Sequence, residues 1–254
     1  MADRGLQEAI RAVGGVTELA RRVGISQPSV SNWLKIPAER VLAVEAVSGV
    51  ARATLRPDLY GEAAVDDVDR ARANEYALLA TMLTRAPDAK LLQQLGDLRG
   101  DATPLGVAHV ELAEAAQNAD VAKVEREFFD IFIGVGRGEL LPYASFYLTG
   151  FLHERPLARL REDLNRMGIA RADGVAEPED HAGILCEIMS GLASGQLPAP
   201  AGSDRIIFEK HMTPWIGRFF ADLERCEAAN FYRRIAMVGR VFIDIETEAF
   251  ALPS

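Results

Sequence analysis

Two short segments of the chain concentrate side chains that could recognise a charged ligand. Residues 142–147 read Pro-Tyr-Ala-Ser-Phe-Tyr, and residues 177–181 read Glu-Pro-Glu-Asp-His. Carboxylates bind guanidinium groups through paired hydrogen bonds, and aromatic faces accept such cations by cation–π contact. These residue types therefore favour a patch that binds a peptide over a catalytic centre. The candidate binding residues are Tyr143, Ser145, Tyr147, Glu177, Pro178, Asp180 and His181.

Both segments also have a purely structural interpretation. Pro178 suits the first position of a helix, and Glu179 and Asp180 would then lie in its first turn, next to the positive end of the helix dipole. Tyr143 and Tyr147 are four residues apart, the spacing of two neighbours on one helix face, so they could be core aromatics. For any one residue the two interpretations stay open.

Other chemistries have little support in the sequence. Glu177 and His181 are spaced to share a helix face, but the four histidines form no pair with the spacing of metal ligands. The sequence lacks the Gly-x-Ser-x-Gly motif of hydrolases, and Cys186 and Cys226 form no Cys-x-x-Cys pair. The glycine-rich residues 134–138 lack the preceding strand and the following lysine of a phosphate-binding loop. We therefore expect no metal, no cofactor and no enzymatic activity.

Charge is distributed unevenly along the 254 residues. Residues 1–57 contain eight Lys/Arg and five Asp/Glu, a net charge of +3, whereas the whole chain carries −9 and the remainder therefore −12. This asymmetry predicts two modules. No apolar run is long enough to span a bilayer, residues 1–10 do not resemble a signal peptide, and Arg21-Arg22 is not followed by an apolar segment, so a cytoplasmic location is expected.

The first module, residues 1–60, has the pattern of a helix-turn-helix domain. Val16–Val23 forms a short amphipathic helix, Gly24 permits the left-handed backbone of a turn, and Ser26 is a suitable N-cap for a helix over Gln27–Lys35. The residues expected on the buried side of that last helix are Val30, Trp33 and Leu34. In such domains the second helix lies in the major groove and its N-terminal residues face the base edges.

Polar and basic side chains are available for both kinds of DNA contact. Gln and Asn can pair with adenine, Ser is permissive, and Arg and Lys bind phosphates. The candidate DNA-binding residues are Arg21, Arg22, Gln27, Ser29, Ser31, Asn32 and Lys35, with Arg40 as a further phosphate contact. The alternative is a packing module that no longer binds DNA, since a net charge of +3 attracts phosphates weakly.

Nearly the whole first module resembles the Cro-like domains of the YdaS type. The resemblance continues through Ile36-Pro37-Ala38-Glu39-Arg40-Val41 to Leu55-Arg56-Pro57-Asp58-Leu59-Tyr60. It implies a helix-turn-helix fold and double-stranded DNA as a partner, with dimerisation as an option. Residues 61–72, rich in Ala and Asp, are expected to be a linker that merges into the next helix.

The second module, residues 66–254, is expected to be an all-helical bundle. Thr103 and Asp120 are predicted to cap helices, Pro178 to begin another, and Asn230–Phe250 to form the last, with Phe231, Ile235, Val238, Phe242 and Ile245 directed inward. No segment has the alternation of a strand. The predicted fold class is all-α, a small helix-turn-helix domain followed by a larger helical bundle.

The two segments at 142–147 and 177–181 resemble those of the TorD family, cytoplasmic chaperones of molybdopterin-dependent oxidoreductases. The family carries a Pro-Tyr/Trp-x-Ser-x-Tyr-like segment and a later Glu-Pro-x-Asp-His segment; Ala144 departs from the pattern, since many relatives have an acidic residue there. The resemblance implies a non-enzymatic chaperone that binds the catalytic subunit of a molybdoenzyme, such as a formate dehydrogenase, or its twin-arginine signal peptide. A transcriptional regulator that uses this body as a sensor is the main alternative, and a helical bundle that binds a small molecule is another.

Overall fold

The computed structural model describes residues 3–57, 67–171 and 177–252. Contacts divide the chain into two compact units, residues 1–66 and 67–254. The described residues are helices joined by turns, with one isolated antiparallel bridge between Tyr143 and His181 and no strand. The predicted all-α fold class is therefore confirmed.

Within residues 3–57, the first unit packs five short helices around its own core. They are α1 (Arg4–Val13), α2 (Val16–Val23), α3 (Gln27–Ser31), α4 (Val41–Ser48) and α5 (Arg52–Leu55), with a 3-10 turn over Ala38–Arg40. The core residues are Leu6, Ala9, Val13, Leu19, Ala20, Val30, Ile36, Val41, Val44 and Leu55. Gly24 adopts φ of 76°, and the hydroxyl of Ser26 accepts the backbone N–H of Ser29, as the turn and cap predictions required.

Helix α3 is shorter than the sequence suggested. It ends at Ser31 rather than at Lys35, and Leu34 is 76% exposed rather than buried. The backbone accounts for this difference, since the carbonyl of Leu34 accepts the N–H of Asp3 at 2.9 Å, so the chain has left the helical path by that residue. Trp33 is only partly buried.

The second unit contains ten helices in its described residues. They are α6 (Asp67–Thr84), α7 (Ala89–Gly96), α8 (Pro104–Gln117), α9 (Val121–Phe128), α10 (Ala144–Thr149), α11 (Arg155–Met167), α12 (Ala182–Ala193), α13 (Ser203–Ile207), α14 (Ile216–Arg225) and α15 (Tyr232–Ala251). Single π-turns, Phe129–Ile133 and Phe208–Met212, extend α9 and α13. Residues 67–72 of the expected linker are helical, and the rest of it lies outside the described residues.

The core of the second unit is built largely from three helix pairs, α6 with α12, α14 with α15, and α8 with α15. Tyr76, Leu79 and Met82 of α6 are fully buried, as are Phe219 and Phe220 of α14. Ile245 of α15 is 44% exposed, so its predicted inward position is wrong. No helix within the described ranges combines the length and apolar character that a membrane span requires.

The predicted caps in this unit have mixed outcomes. The side chains of Thr103 and Asp120 accept the backbone N–H groups of Gly106 and Lys123, at 3.1 and 3.0 Å, and this confirms both caps. Helix α12, by contrast, begins at Ala182 rather than at Pro178. The residues before it are bonded to a second segment of the chain, residues 142–145.

Candidate functional site

The two motif segments, 142–147 and 177–181, meet in the folded chain. The N–H of Ala144 donates to the carbonyl of Asp180 at 2.9 Å, and the N–H of Ala182 donates to the carbonyl of Pro142 at 2.7 Å. The N–H of Ser145 donates to Oδ2 of the Asp180 side chain at 2.8 Å. We call this contact between residues 142–145 and 180–183 the junction. It gives Asp180 and Ala182 backbone partners outside any helix, which is why α12 starts later than predicted.

The side chains at the centre of the junction are buried. Ser145, Asp180 and His181 are 0%, 1% and 5% exposed. His181 is the N-cap of α12, where its Nδ1 accepts the N–H of Gly183 at 3.0 Å, and the ring of Tyr143 contacts it edge-on with centroids 5.0 Å apart. Burial lowers the pKa of His181 to about 4, against the opposing effect of two nearby carboxylates. The imidazole is therefore neutral at pH 7.

Tyr143 and Glu177 form the accessible edge of the junction. The hydroxyl of Tyr143 donates to Oε2 of Glu177 at 2.7 Å, and Glu177 is exposed. Burial, followed by the bond to this carboxylate, raises the pKa of Tyr143. The tyrosine therefore stays protonated and holds the carboxylate in place.

A groove of about 730 Å³ opens beside this edge, between α6, α11 and α12. Its apolar lining includes Leu164, Ile169, Ile184, Ile188 and Leu197, and its charged lining includes Arg85, Arg161, Arg171, Glu177, Glu179 and Glu187. An elongated ligand could lay apolar side chains against the lining and place charges at the rim.

The carboxylates of the groove are not equally available. Nη2 of Arg161 lies 2.8 Å from Oε2 of Glu179. Partial burial raises the pKa of Glu179, but the hydrogen bond and charge of Arg161, a backbone hydrogen bond and the charge of Arg171 together lower it by more, so the net pKa is below the usual value. Glu187 is exposed on α12 and has no hydrogen bond or ion pair within the described residues. Glu177 and Glu187 are therefore the carboxylates best placed for an incoming cation.

Four of the seven predicted binding residues, Tyr143, Ser145, Asp180 and His181, lie in the junction, and Glu177 and Pro178 lie next to it in the chain. Tyr147 lies in another set of contacts. Its hydroxyl donates to Asp222 at 3.2 Å, its ring packs on Trp215 with centroids 5.3 Å apart, and the guanidinium of Arg218 lies 4.9 Å from the ring. The carbonyl of Pro178 accepts the N–H of His181 at 3.1 Å, so Pro178 belongs to the turn before α12.

Apart from Glu177, the sequence did not identify the charged residues of the groove. Glu187 follows Ile184 by three residues, a helical spacing that could have placed it beside the apolar lining. Arg161 and Glu179 are 18 residues apart, and no sequence pattern predicts that they form a pair. Across the described residues no cluster of three His, Cys, Asp or Glu side chains could hold a metal ion.

All the DNA-binding candidates of the first unit are exposed, but several are already bonded to neighbouring side chains. The exposed residues are Arg21, Arg22, Gln27, Ser29, Ser31, Asn32, Lys35 and Arg40. Arg21 and Arg22 both pair with Glu18, at 2.6 and 2.7 Å. Nε2 of Gln27 donates to the hydroxyl of Ser31 at 2.8 Å. These contacts are exposed to water, where ion pairs and hydrogen bonds contribute little free energy. Replacing them by contacts with DNA therefore requires little free energy.

Comparison with known proteins gives a separate match for each unit. The family described as nitrate reductase delta subunit matches residues 98–221, and the family described as bacterial toxin YdaS matches residues 6–64. The Chaperone protein TorD of Vibrio cholerae serotype O1 (strain El Tor Inaba N16961) is 29% identical over 145 residues, which span 53% of this chain and 66% of that protein. The Chaperone protein TorD of Aliivibrio fischeri is 23% identical over 203 residues, 71% of this chain and 94% of that protein.

A solved structure described as a redox enzyme maturation protein from Archaeoglobus fulgidus aligns with 68% of this chain and 93% of its own, at 18% identity and a TM-score of 0.48. The chain thus spans just under two thirds of the Vibrio cholerae relative and nearly all of the Aliivibrio fischeri relative. The family models and the two relatives confirm both resemblances drawn from the sequence, to proteins named TorD over much of the chain and to the YdaS family over residues 6–64.

Proposed function

We propose that this chain is a cytoplasmic, non-enzymatic chaperone for a molybdopterin-dependent oxidoreductase, and that it binds the twin-arginine leader or the apo form of that enzyme's catalytic subunit. The observation that carries the proposal is the groove, which combines an apolar lining with the accessible carboxylates Glu177 and Glu187. The likeness to proteins named TorD chaperones supports the same assignment.

The proposed binding mode follows from the chemistry of the leader. A twin-arginine leader carries adjacent guanidinium groups followed by an apolar stretch. Each guanidinium can form two parallel hydrogen bonds with a carboxylate, which a lysine ammonium cannot reproduce. The apolar stretch would lie on Ile184 and Ile188, and Tyr143 would hold Glu177 in position.

Calorimetry of the full chain with synthetic leaders tests this proposal. The leader of a formate dehydrogenase catalytic subunit is one suitable ligand, and the same peptide with both arginines replaced by lysine is its control. We expect the lysine peptide to bind roughly tenfold more weakly, because the paired hydrogen bonds are lost.

Variants of the protein locate the site. Glu187→Gln and Glu177→Gln should each weaken leader binding several-fold, about the effect of removing one charge-assisted hydrogen bond. Glu125→Gln, at an exposed position of α9 outside the groove, should leave it unchanged. Absence of binding by the native chain to any twin-arginine leader would remove the basis of the proposal.

We also propose that the first unit binds double-stranded DNA. The YdaS match and the exposure of all eight candidate side chains support this activity. An electrophoretic shift with fragments of the chromosome at low salt tests it, and Asn32→Ala and Arg22→Ala should weaken the shift. The regulator hypothesis, in which the second unit acts as a sensor, depends on this result; the named relatives favour the chaperone.

A further inference from the structure

A second exposed apolar surface lies where α10 ends. Leu148, Phe151 and Leu152 are 44%, 70% and 38% exposed. The turn that carries them is well formed, since the hydroxyl of Thr149 donates to the carbonyl of Ser145 at 2.8 Å and accepts the N–H of Phe151 at 3.2 Å. The turn therefore holds a phenylalanine in water at a fixed place, and neighbouring exposed apolar side chains of this kind mark interaction sites.

Cavities lie on two sides of Leu148. One, of about 470 Å³, is lined by Leu148, Pro156, Leu160 and Pro214 together with charged residues of α11. The other, of about 460 Å³, is lined by Leu148, Leu140, Leu141 and Phe146. Neither cavity shares a lining residue with the groove beside the junction. The surface can therefore receive side chains from a partner on both flanks of one leucine.

Four arginines near this surface have no carboxylate partner within the described residues, namely Arg137, Arg155, Arg159 and Arg218. Arg137 lies over the ring of Phe146 at 5.2 Å and Arg218 over that of Tyr147 at 4.9 Å. Arg159 lines the first cavity, whose carboxylates Glu162, Asp163 and Glu209 each have a basic partner. Arg218 lines the second cavity together with Glu139 and Asp222. The chain carries a net charge of −9, and many of its arginines are ion-paired within the described residues, so four arginines without a carboxylate partner at one surface stand out.

We propose that this surface, comprising Leu148, Phe151 and Leu152 with Arg137, Arg159 and Arg218, binds an acidic amphipathic helix of a partner protein. Leucines at helical spacing would enter the two cavities and cover Phe151. Glutamates on the flanks of the helix would pair with the arginines, and the complementary charges would fix its orientation. The site is distinct from the groove and recognises the opposite charge.

An anionic bilayer surface is the other target that arginines and an exposed aromatic residue could suit. The two cavities favour the helix, because a lipid surface has no side chains of defined spacing to fill them. The experiment therefore includes vesicles as a competing target.

Fluorescence anisotropy of a labelled synthetic helix with the full chain tests the proposal. The probe is an 18-residue peptide of our design with leucines at spacings of three and four and glutamates at the flanking positions, roughly five helical turns. Its control has lysine at every glutamate position. We expect the glutamate peptide to bind and the lysine peptide to bind at least about tenfold more weakly, with the difference shrinking as salt rises.

Substitutions assign the binding to the surface. Phe151→Ser and Arg159→Glu should each weaken binding of the glutamate peptide roughly tenfold. Lys90→Glu, an equal change of charge at an exposed position of α7, should not. An excess of twin-arginine leader should leave the anisotropy unchanged.

Four results would overturn the proposal. They are equal binding of the two peptides, no binding of either, no effect of Phe151→Ser and Arg159→Glu, and displacement by the leader. Sedimentation with phosphatidylglycerol vesicles, abolished by the same two substitutions, in a protein that ignores the peptide would assign the surface to lipid instead.

Discussion

Asp180 stabilises the junction through a buried hydrogen bond that its carboxylate accepts from the backbone. Its carboxylate is 1% exposed and accepts the backbone N–H of Ser145 at 2.8 Å. A buried carboxylate is tolerated only when it is bonded, and a buried N–H has the same requirement. Each group therefore satisfies the other.

Replacing Asp180 should destabilise the second unit. Asp180→Ala leaves the N–H of Ser145 without its acceptor, and we expect a loss of about 1–3 kcal/mol in the free energy of unfolding. Urea titration followed by Trp215 fluorescence in a Trp33→Phe background measures this, because Trp215 is then the single tryptophan and is 1% exposed. Glu125→Ala is the exposed control and should change little; equal midpoints for the two variants would show that the bond contributes nothing.

His181 should make stability depend on pH. Its pKa is lowered from 6.5 to about 4 by burial, so on acidification the unfolded chain takes up the proton first. Stability contributed by the neutral imidazole is therefore present above pH 6.5 and is lost as pH falls towards about 4, by on the order of 3 kcal/mol in total.

The variant His181→Asn isolates this effect. Asparagine can still accept the N–H of Gly183 as an N-cap but does not titrate. Its urea midpoint should fall less between pH 7 and pH 4 than that of the native protein. His211, whose pKa burial also lowers against the bond to Asp163, remains in both proteins and cancels in the comparison. If the urea midpoints of the two proteins fell in parallel with pH, His181 would not be the source of the pH dependence.

The residue types at the junction could be predicted, but their surroundings could not. Glu177 is exposed beside a groove, in keeping with its predicted role, whereas the carboxylate of Asp180 faces the chain itself. The hydrogen-bond partner of Asp180 is Ser145, 35 residues away, and no local sequence pattern predicts that contact. The ligand-binding role of Asp180, His181 and Ser145 stays a prediction.

At the scale of elements, the close approach of α6 and α12 depends on Gly183. A Cβ at this position would lie 2.6 Å from Cγ2 of Thr84 and 3.3 Å from the carbonyl oxygen of Ala80. The absence of a side chain lets the N-terminus of α12 pack directly on α6. The same glycine donates its N–H to His181, so the packing and the cap support each other.

Gly183→Ala should therefore destabilise the protein although alanine is the better helix former. We expect a cost of about 1–3 kcal/mol from overpacking, measured by urea titration. Gly217→Ala is a matched control in α14, where a Cβ would meet nothing within 4 Å, and it should stabilise by about 0.5–1 kcal/mol. Thr84→Ser removes the obstructing methyl group and should recover part of the loss; no recovery would locate the strain elsewhere.

Helix starts were predictable where the cap is local. Thr103 and Asp120 bond N–H groups three residues ahead, a relation that the sequence displays directly. The start of α12 and the end of α3 depend instead on backbone bonds to Pro142 and Asp3, far along the chain. Local signals at Pro178 and Lys35 were therefore overridden by tertiary contacts.

At the scale of the molecule, each unit has an apolar core of its own. Leu19 is fully buried in the first and Phe219 in the second. The units also differ in charge, with +3 in residues 1–57 and −12 in the remainder. The sequence predicted two modules from the charge asymmetry together with the helix-turn-helix pattern of residues 1–60 and the Ala- and Asp-rich residues 61–72.

Core substitutions should therefore affect the units separately. Leu19→Ala should lower the free energy of unfolding of the first unit, reported by Trp33, by about 2–5 kcal/mol. Phe219→Ala should lower that of the second unit, reported by Trp215, by about the same amount. Single-tryptophan backgrounds, Trp215→Phe and Trp33→Phe, distinguish the two transitions. Movement of both transitions by the same amount in either variant would show that the chain unfolds as one cooperative block.

The junction also has a consequence for the order in which the chain folds. It ties Ser145 to Asp180 across 35 residues, so forming it early would require closing a long loop before any packing compensates the lost entropy. The segment between them contains α11, whose Leu157 and Leu160 must first dock on the core. We therefore expect the junction to close late in folding, so that its bonds mainly slow the unfolding rate. The groove, whose rim includes Glu177, acquires its final shape only at that last step.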